Sequence, residues 1–208
     1  MLKVGLTGGV ACGKSTIGQM LVARGAHLVR ADEIAHQLMQ PGQPVYEKVV
    51  QHFGPSVVHP DGTINRLKLA EAAFAGGRVE ELNRIVHPAV IDYQNRWMEE
   101  TGKREPDAVV IVEAALILEA GVQGRFDKLI AVTCRSEQKP ERFATRQKLA
   151  LDAARTEVER RSAAQIGDEQ KARAADFIID NSGDLWAAER QVDALWPELQ
   201  RLARERRS

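Results

Sequence analysis

The first 25 residues carry a strand pattern, a glycine-rich loop and an amphipathic helix pattern in immediate succession. Residues 2–7 form a short, mostly apolar run, which is typical of a strand buried on both faces. The loop reads GGVACGKST, and apolar residues then recur at helical spacing up to Gly25, where we expect the helix to end. A buried strand that feeds a helix through a short loop is half of a βαβ unit, so this segment predicts a parallel sheet.

The loop matches the pattern G-x-x-x-x-G-K-[ST], counted from Gly8, which is a phosphate-binding signature. A chance match in a chain of this length occurs roughly once in a hundred, and the flanking strand and helix improve those odds. Glycines let backbone N–H groups converge on a polyphosphate, and the following helix adds its positive dipole end. We expect Lys14 to reach the β- and γ-phosphates of ATP, and Ser15 to hold Mg²⁺ through its hydroxyl. The candidate ATP-binding residues of the loop are Gly8, Gly9, Ala11, Cys12, Gly13, Lys14, Ser15 and Thr16. The alternative is a glycine-rich turn that only starts a helix.

Four more short apolar runs follow, separated by helical patterns. They cover residues 27–29, 109–112, 129–133 and 177–179. The interval between the second and third strands is far longer than one crossover helix needs, which indicates a helical insertion. We therefore predict an α/β fold. Its core is a five-stranded parallel sheet in three αβα layers that carries the phosphate-binding loop, with a helical insertion and a second, charged helical segment that is called the lid below.

We expect one domain over residues 1–208, made of three parts. The nucleotide-binding core covers residues 1–36, 104–136 and 175–208, the helical insertion covers 37–103, and the lid covers 137–174. The lid sequence is charged and rich in alanine, so we expect exposed helices there. A last helix carries Pro197, which should bend it or start a new segment.

Composition narrows the class of protein. The 29 basic residues equal the 29 acidic residues, which disfavours a general nucleic-acid binder. The two cysteines lie far apart, so no disulfide framework is expected and a reducing cytoplasm is the simplest location. No apolar run reaches membrane-spanning length, and we expect a soluble protein without membrane partners, as a monomer or a small homo-oligomer.

Two carboxylate side chains lie at the carboxyl ends of strands of the predicted sheet. Ligands of open parallel sheets bind at these ends. Asp32 comes just after the second strand and is placed to face an acceptor hydroxyl across the γ-phosphate, but it is equally placed to cap the next helix. Glu113 ends the third strand. It is a candidate for contact with Mg²⁺ through water, for contact with the acceptor, or for a polar strand end.

Taken together, these residues resemble the dephospho-CoA kinase family over nearly the whole chain. The phosphate loop is shared by many enzymes, whereas three other segments are more specific. These are Ala-Asp-Glu-Ile-Ala at 31–35, Leu-Asn-Arg-Ile-Val-His-Pro at 82–88, and Ala-Asp-Phe-Ile-Ile-Asp-Asn at 175–181.

The resemblance implies transfer of the ATP γ-phosphoryl group to the ribose 3′-hydroxyl of dephospho-CoA, the last step of coenzyme A synthesis. It implies Asp32 as base or orienter of that hydroxyl, with Lys14 and Arg142 as further catalytic residues. It implies a P-loop kinase core, a substrate-binding role for the helical insertion and a closing role for the lid. It places Arg142, Arg146 and Asn181 at ATP. It places Asp32, Arg66, Phe74, His87, Glu113 and Arg161 at the acceptor. Because Arg142 and Arg146 lie four residues apart, both can reach inward from one helix face, although such pairs are often merely solvated.

The sequence departs from the family at several points. Arg30 stands where an acidic residue is usual, Ala11 where glycine is common, and residues 115–119 read Ala-Leu-Ile-Leu-Glu instead of Pro-Leu-Leu-Phe-Glu. The rival interpretations are another small-molecule kinase, for nucleoside monophosphates or shikimate, and a regulatory nucleotide-binding protein without catalysis. His87-Pro88 has its own alternative, which is that it simply ends a helix before the proline.

Overall fold

The computed structural model describes residues 1–206, and within them the chain forms one five-stranded sheet. The strands are β1 Leu2–Gly8, β2 His27–Arg30, β3 Val109–Glu113, β4 Lys128–Thr133 and β5 Phe177–Asp180. Their order is β2-β3-β1-β4-β5, and β1 pairs in parallel with both β3 and β4, as β4 does with β5. Helices cover both faces, so the predicted three-layer α/β architecture is confirmed.

Nine α-helices lie within the described residues. They are α1 Lys14–Ala23, α2 Ala31–Leu38, α3 Pro44–Phe53, α4 Arg66–Ala75, α5 Val79–Arg104, α6 Gln138–Gln147, α7 Leu151–Ala163, α8 Asp168–Ala174 and α9 Leu185–Glu205. Two single 3₁₀ turns cover Pro55–Val57 and Gln123–Arg125. In this part of the chain, no helix combines the length and the apolar character that crossing a membrane requires.

The three central strands are almost fully buried, as their apolar sequences predict, but β5 is not. All five residues of β3 are buried, whereas Ile178 in β5 is 53% exposed. β5 is one of the two edge strands and has a neighbour only in β4, so its side chains face solvent more readily. The strands at the two edges of the sheet are therefore less buried than the central ones.

Contacts divide the chain into two compact units. The first consists of Met1–Leu28 and Glu100–Ser208, and its core joins residues of β1, β3 and β4 to α1 and α9. The second is Val29–Glu99, whose separate core includes Ile34, Val49 and Val86. Each unit thus has its own apolar centre, and the second is entirely helical apart from its first strand residues and an isolated bridge between Val58 and Ile64.

The predicted end of α1 at Gly25 is confirmed in detail. Gly25 has φ +105, its N–H donates to the Val22 carbonyl, and the Ala26 N–H donates to the Leu21 carbonyl. These two bonds satisfy carbonyls of the last turn in the Schellman arrangement, which needs a left-handed residue at this point. Glycine supplies that conformation without a Cβ penalty.

Two prolines lie inside helices, where the sequence left a helix end or a new segment open as one alternative. α5 continues through Pro88 and α9 continues through Pro197 as single helices, so neither the helix end at His87 nor a new segment at Pro197 occurs. Both prolines are exposed, and the residues four positions earlier, Arg84 and Asp193, are exposed too. Water can therefore bind the carbonyl that each proline leaves without a partner, while the opposite helix face stays packed.

The segment predicted as a lid is helical, but it is not simply exposed. α6 and α7 pack together through buried Phe143, Ala154 and Val158, next to Val10 of the glycine-rich loop. Two lysines of this segment, Lys139 and Lys171, are also buried. The buried face of these helices is hard to recognise in a charged, alanine-rich sequence. It forms because small alanines let the helices pack closely.

Candidate active site

The glycine-rich loop between β1 and α1 lies at the carboxyl-terminal edge of the sheet. In register, Gly8 of β1 lies beside Val132 of β4, and Leu6 lies beside Glu113 of β3. Parallel strands end at the same edge, so the residues that follow these strands converge on the loop. α1 begins at Lys14, and its first turn directs backbone N–H groups toward the loop.

The loop takes a backbone path that only certain residues tolerate. Gly13, the residue before α1, has φ +90, and Ala11 has φ +56 in the left-handed region. A non-glycine residue costs about 1–2 kcal/mol in that conformation. Ala11 therefore carries local strain at the position where the resemblance leads one to expect glycine.

Three glycines of the loop have neighbours too close for a Cβ atom, and for Gly8 the neighbour is the Val132 carbonyl oxygen at 2.3 Å. A Cβ atom on Gly9 would lie 2.2 Å from Asp168 Oδ1, and one on Gly13 would lie 2.1 Å from Asn181 Nδ2. The Asn181 amide also donates to the Cys12 carbonyl at 2.8 Å. Asn181, which follows β5, and Asp168, which begins α8, thus pack against the loop backbone.

The Lys14 side chain folds over the loop. Its Nζ donates to the carbonyl oxygens of Gly8 and Gly9, at 2.9 Å in both cases. These contacts hold the ammonium group beside the loop backbone, at the end of α1 where anions are favoured. The predicted phosphate-binding lysine therefore lies at the loop itself.

Ser15 and Glu113 form the second polar contact of the loop. The Ser15 hydroxyl donates to Glu113 Oε1 at 2.7 Å, and Glu113 is only 7% exposed at the end of β3. Because the carboxylate accepts this hydrogen bond, the lone pairs of the Ser15 oxygen stay available to a hard cation. Ser15 and Glu113 are therefore the residues in this unit best suited to a Mg²⁺ site.

A buried polar cluster lies behind the loop. The sulfur atoms of Cys12 and Cys134 are 3.0 Å apart, and Cys12 Sγ is 3.6 Å from Asp168 Oδ2. Asp168 pairs with Lys139 Nζ at 2.6 Å. The hydrogen bond with Cys12, with help from Lys139 and Arg142, lowers the pKa of Cys134, whereas the bond with Cys134, burial and Asp168 raise the pKa of Cys12.

Of the two arginines on α6, only one is directed toward the loop. Arg142 Nη2 donates to the Asn181 carbonyl at 2.8 Å, and its buried Nη1 has no hydrogen-bond partner among residues 1–206. Arg146 is exposed, with its guanidinium 5.5 Å from the centre of the Phe143 ring. Arg161 lies 5.2 Å from the same ring and pairs with Glu157 at 2.6 Å.

The remaining predicted site residues belong to the second unit. Asp32 is exposed in the first turn of α2, and the helix begins one residue before it, with Arg30 as the capping residue. The capping alternative for Asp32 is therefore wrong, because a cap must precede the first helical residue. Phe74 is 55% exposed on α4, and burial lowers the pKa of the partly buried His87.

A cavity of about 560 Å³ opens in this unit beside Arg66. His36, Asn65 and Arg66 contribute polar groups to its lining, and Met39 and Leu67 contribute apolar surface. Burial first, and then the charge of Arg66, lower the pKa of His36. A neutral imidazole beside a guanidinium gives this cavity hydrogen-bonding capacity together with positive charge.

Sequence reasoning missed three residues of the loop surroundings. Asp168 and Lys139 pair behind Gly9, and Cys134 meets Cys12, although these residues are separated from the loop by more than a hundred positions. Cys134 directly follows β4, so its place at the ligand-binding edge was available from the strand pattern. No sequence signal identifies the Asp168–Lys139 pair, since charged residues are common throughout that segment.

Comparison with known proteins gives a consistent result. The family model described as dephospho-CoA kinase matches residues 2–186. The dephospho-CoA kinase of Moorella thermoacetica is 38% identical over 202 residues, which covers 97% of this chain and 93% of that protein. The one from Symbiobacterium thermophilum is 41% identical and covers 93% of this chain and 79% of that protein.

Solved structures agree with the sequence relatives. Dephospho-CoA kinase from Campylobacter jejuni superposes with a TM-score of 0.68 at 25% identity, covering 96% of this chain and 97% of that one. Protein TT1252 from Thermus thermophilus gives a TM-score of 0.76 at 28% identity, with 95% and 97% covered. Shikimate kinase from Bacteroides thetaiotaomicron gives 0.52 at 16% identity, with 96% and 98% covered, and is similar in fold alone.

Proposed function

The chain belongs to the dephospho-CoA kinase family, and from that premise we propose that it phosphorylates dephospho-CoA with ATP. The γ-phosphoryl group passes to the ribose 3′-hydroxyl, and the products are CoA and ADP. The observation that carries the proposal is the match of residues 2–186, which includes the glycine-rich loop with Lys14 and Ser15 at the edge of the sheet.

The nucleotide-binding part of the proposal rests on the loop. Gly9 and Gly13 allow close backbone approach, and α1 supplies its positive end to the phosphates. Lys14 exchanges its carbonyl partners for phosphate oxygens when ATP binds. Arg142 adds a second cation through Nη1, which is buried and lacks a hydrogen-bond partner among the described residues. In a loose transition state, such cations act mainly by stabilising charge on the transferred group.

Mg²⁺ fits the Ser15–Glu113 pair. Glu113 keeps the Ser15 proton turned away from the side on which a cation would bind, so the hydroxyl oxygen can serve as a ligand. Only one or two protein ligands are needed, since Mg²⁺ in such enzymes also binds water and substrate phosphates. When bound, the ion neutralises charge on the β- and γ-phosphate oxygens. Ser15 would be the direct ligand and Glu113 would position it.

Asp32 is the proposed orienter of the acceptor hydroxyl. It is an exposed carboxylate that makes no capping bond in α2, so it is available to a substrate. The hydroxyl keeps its proton until late in a loose transition state, so Asp32 acts mainly through orientation. Arg30 stands where the family usually has a second acid, and it pairs with Glu33 at 3.0 Å.

The Asp32 role is tested by Asp32→Asn, with Glu33→Gln as the matched control on the next residue. We expect Asp32→Asn to lower turnover at least about a hundredfold while the KM for ATP stays within about twofold. The control should keep wild-type turnover, because Glu33 pairs with Arg30 on the surface. Turnover in Asp32→Asn close to that of the wild type would rule out the role.

We propose the second unit as the acceptor side. The cavity beside Arg66 has the size and the mixed polar and apolar lining that a nucleotide-linked acceptor requires. Phe74 offers an exposed ring, and His87 offers a partly buried imidazole. The compact unit Val29–Glu99 supports the assignment of residues 37–103 to the acceptor, and we keep residues 137–174 as the lid.

The reaction itself is tested by incubating the protein with Mg-ATP and dephospho-CoA and following ADP and CoA by chromatography. Parallel reactions contain AMP, CMP, shikimate or no acceptor. We expect equal amounts of ADP and CoA with dephospho-CoA, and only slow ADP release otherwise. ADP formation with another acceptor alone would move the protein to a different small-molecule kinase. The absence of any acceptor-dependent ADP would favour a regulatory nucleotide binder.

A further inference from the structure

The two cysteines of the chain meet behind the glycine-rich loop, although 121 residues separate them in sequence. Their sulfur atoms are 3.0 Å apart, and both side chains are buried. We propose that Cys12 and Cys134 form a reversible disulfide, and that this bond weakens ATP binding by tying the loop to the end of β4.

The geometry favours a disulfide between these two cysteines over any other oxidation product. The chain contains only two cysteines, so no third thiol can compete within one molecule. A disulfide bond is about 2.05 Å long, so the two sulfurs need to approach by about 1 Å from their separation of 3.0 Å. Burial of both thiols hinders bonding to a second chain, which leaves the intramolecular bond as the accessible product.

Exposure and one charge distinguish the two cysteines. Lys139 lowers and Asp168 raises the pKa of both thiols, whereas Arg142 acts on Cys134 alone and lowers its pKa. Cys134 is 9% exposed and Cys12 is 0% exposed, so a small oxidant reaches Cys134 first. Cys134 is therefore the nucleophile, and Cys12 resolves the product.

The chemistry balances with a hydroperoxide as the oxidant. The Cys134 thiolate attacks one peroxide oxygen, the O–O bond breaks, and Cys134 becomes a sulfenic acid while hydroxide leaves and takes up a proton to become water. Cys12 then attacks the Cys134 sulfur, the S–O bond breaks, and a second water leaves with the Cys12 proton. Two thiols and one hydrogen peroxide thus give one disulfide and two waters. A dithiol reductant reverses the bond.

The bond acts on the loop at a sensitive place. The Cys12 carbonyl accepts the hydrogen bond of Asn181, and the Asn181 carbonyl accepts that of Arg142. Cys12 lies next to Gly13, whose left-handed backbone leads into α1. Pulling Cys12 toward β4 displaces the carbonyl and the N–H groups that would surround phosphates. We expect the dissociation constant for ATP to rise at least tenfold on oxidation.

The experiment treats the full chain with hydrogen peroxide and measures three quantities. Intact mass should fall by two hydrogen atoms, free thiols should fall from two per chain to none, and binding of a fluorescent ATP analogue should weaken at least tenfold. Dithiothreitol should restore all three. Because ATP binding is measured without acceptor, the result does not depend on which acceptor the enzyme uses.

Cys134→Ser is the control, since Cys134 does not belong to the proposed substrate-binding residues. This variant should bind the ATP analogue as the reduced wild type does, and peroxide should leave that binding unchanged. If Cys134→Ser does not fold, the mass and thiol measurements on the wild type still decide the matter. Two free thiols after peroxide, a gain of oxygen atoms instead of the loss of two hydrogens, or a disulfide with unchanged ATP binding would each overturn the proposal.

Discussion

Gly9→Ala is the substitution whose effect the structure defines most sharply. The new Cβ atom would lie 2.2 Å from Asp168 Oδ1 and 3.2 Å from Oδ2. Gly9 does not have the positive φ of Gly13, so alanine meets a steric obstacle and no backbone penalty. The outcome depends on whether the Asp168 carboxylate can move away.

The Asp168 carboxylate is held in place by its neighbours. Lys139 Nζ pairs with Oδ2 at 2.6 Å, and the two side chains are 10% and 23% exposed. A hydrogen bond to a charged group contributes about 1.5–3 kcal/mol, and overpacking of a filled site costs about 1–3 kcal/mol. We therefore expect Gly9→Ala to lower the free energy of unfolding by about 2 kcal/mol, a factor of about 30 in the folding equilibrium.

A double-mutant cycle isolates the contact. In an Asp168→Ala background the obstructing oxygen is gone, so adding Gly9→Ala should cost less than about 0.5 kcal/mol. The coupling free energy between the two positions is then about 1.5 kcal/mol. Urea unfolding of the wild type, both single variants and the double variant provides the four values.

Gly124→Ala is the matched glycine control, because a Cβ atom there has no neighbour within 4 Å. Its free energy of unfolding should stay within about 0.5 kcal/mol of the wild type. An equal loss on Gly9→Ala with and without the Asp168 side chain would refute the steric argument. It would mean that the loop backbone, and not the carboxylate, requires glycine.

Three further predictions concern other residues of the first unit. Lys171→Met should lower the free energy of unfolding measured in urea by about 3 kcal/mol. The 1% exposed lysine pairs with Glu119 at 2.9 Å, and its loss leaves that carboxylate without its cation. Adding Glu119→Gln should recover part of the loss. Ala11→Gly should raise the thermal midpoint slightly, since removing about 1–2 kcal/mol of left-handed strain outweighs about 0.5–1 kcal/mol of added chain entropy. The hydrogen bonds from Arg160 and Arg161 lower the pKa of Glu157 from 4.5 to about 2. This contribution to stability is therefore present above pH 4.5 and lost as the pH falls toward 2, so a Glu157→Gln variant should show a smaller loss over that interval in acid titrations of stability.

The elements of the fold were predictable because their signals are local. Each strand is a short apolar run, and the predicted ranges of all five differ from the observed ones by one residue at most at either end. The end of α1 at Gly25 depends on one residue with left-handed backbone. The sequence left alternatives open where solvent decides the result. Pro88 and Pro197 stay inside helices because their exposed faces let water bind the unpaired carbonyls.

The candidate site was predictable in part. Lys14 and Ser15 belong to a contiguous motif, and the expected strand and helix flank it. Glu113 remained open among three roles from sequence, since nothing in its neighbours shows that it accepts the Ser15 proton. The inward direction of Arg142 and the exposed position of Arg146 were equally undetermined. Four-residue spacing puts both on one helix face but does not say which part of that face is covered.

The sequence by itself determined the order of strands and helices along the chain, the glycine-rich loop and the family. Each of these depends on residues that are neighbours along the chain, or on several such segments together. Only the tertiary structure decided which distant side chains meet. The pairs Cys12 with Cys134, Asp168 with Lys139, and Ser15 with Glu113 arise from the sheet order and from the packing of α6 and α8 beside the loop. Such contacts depend on strand register and helix packing, and neither can be inferred from the local spacing of residues.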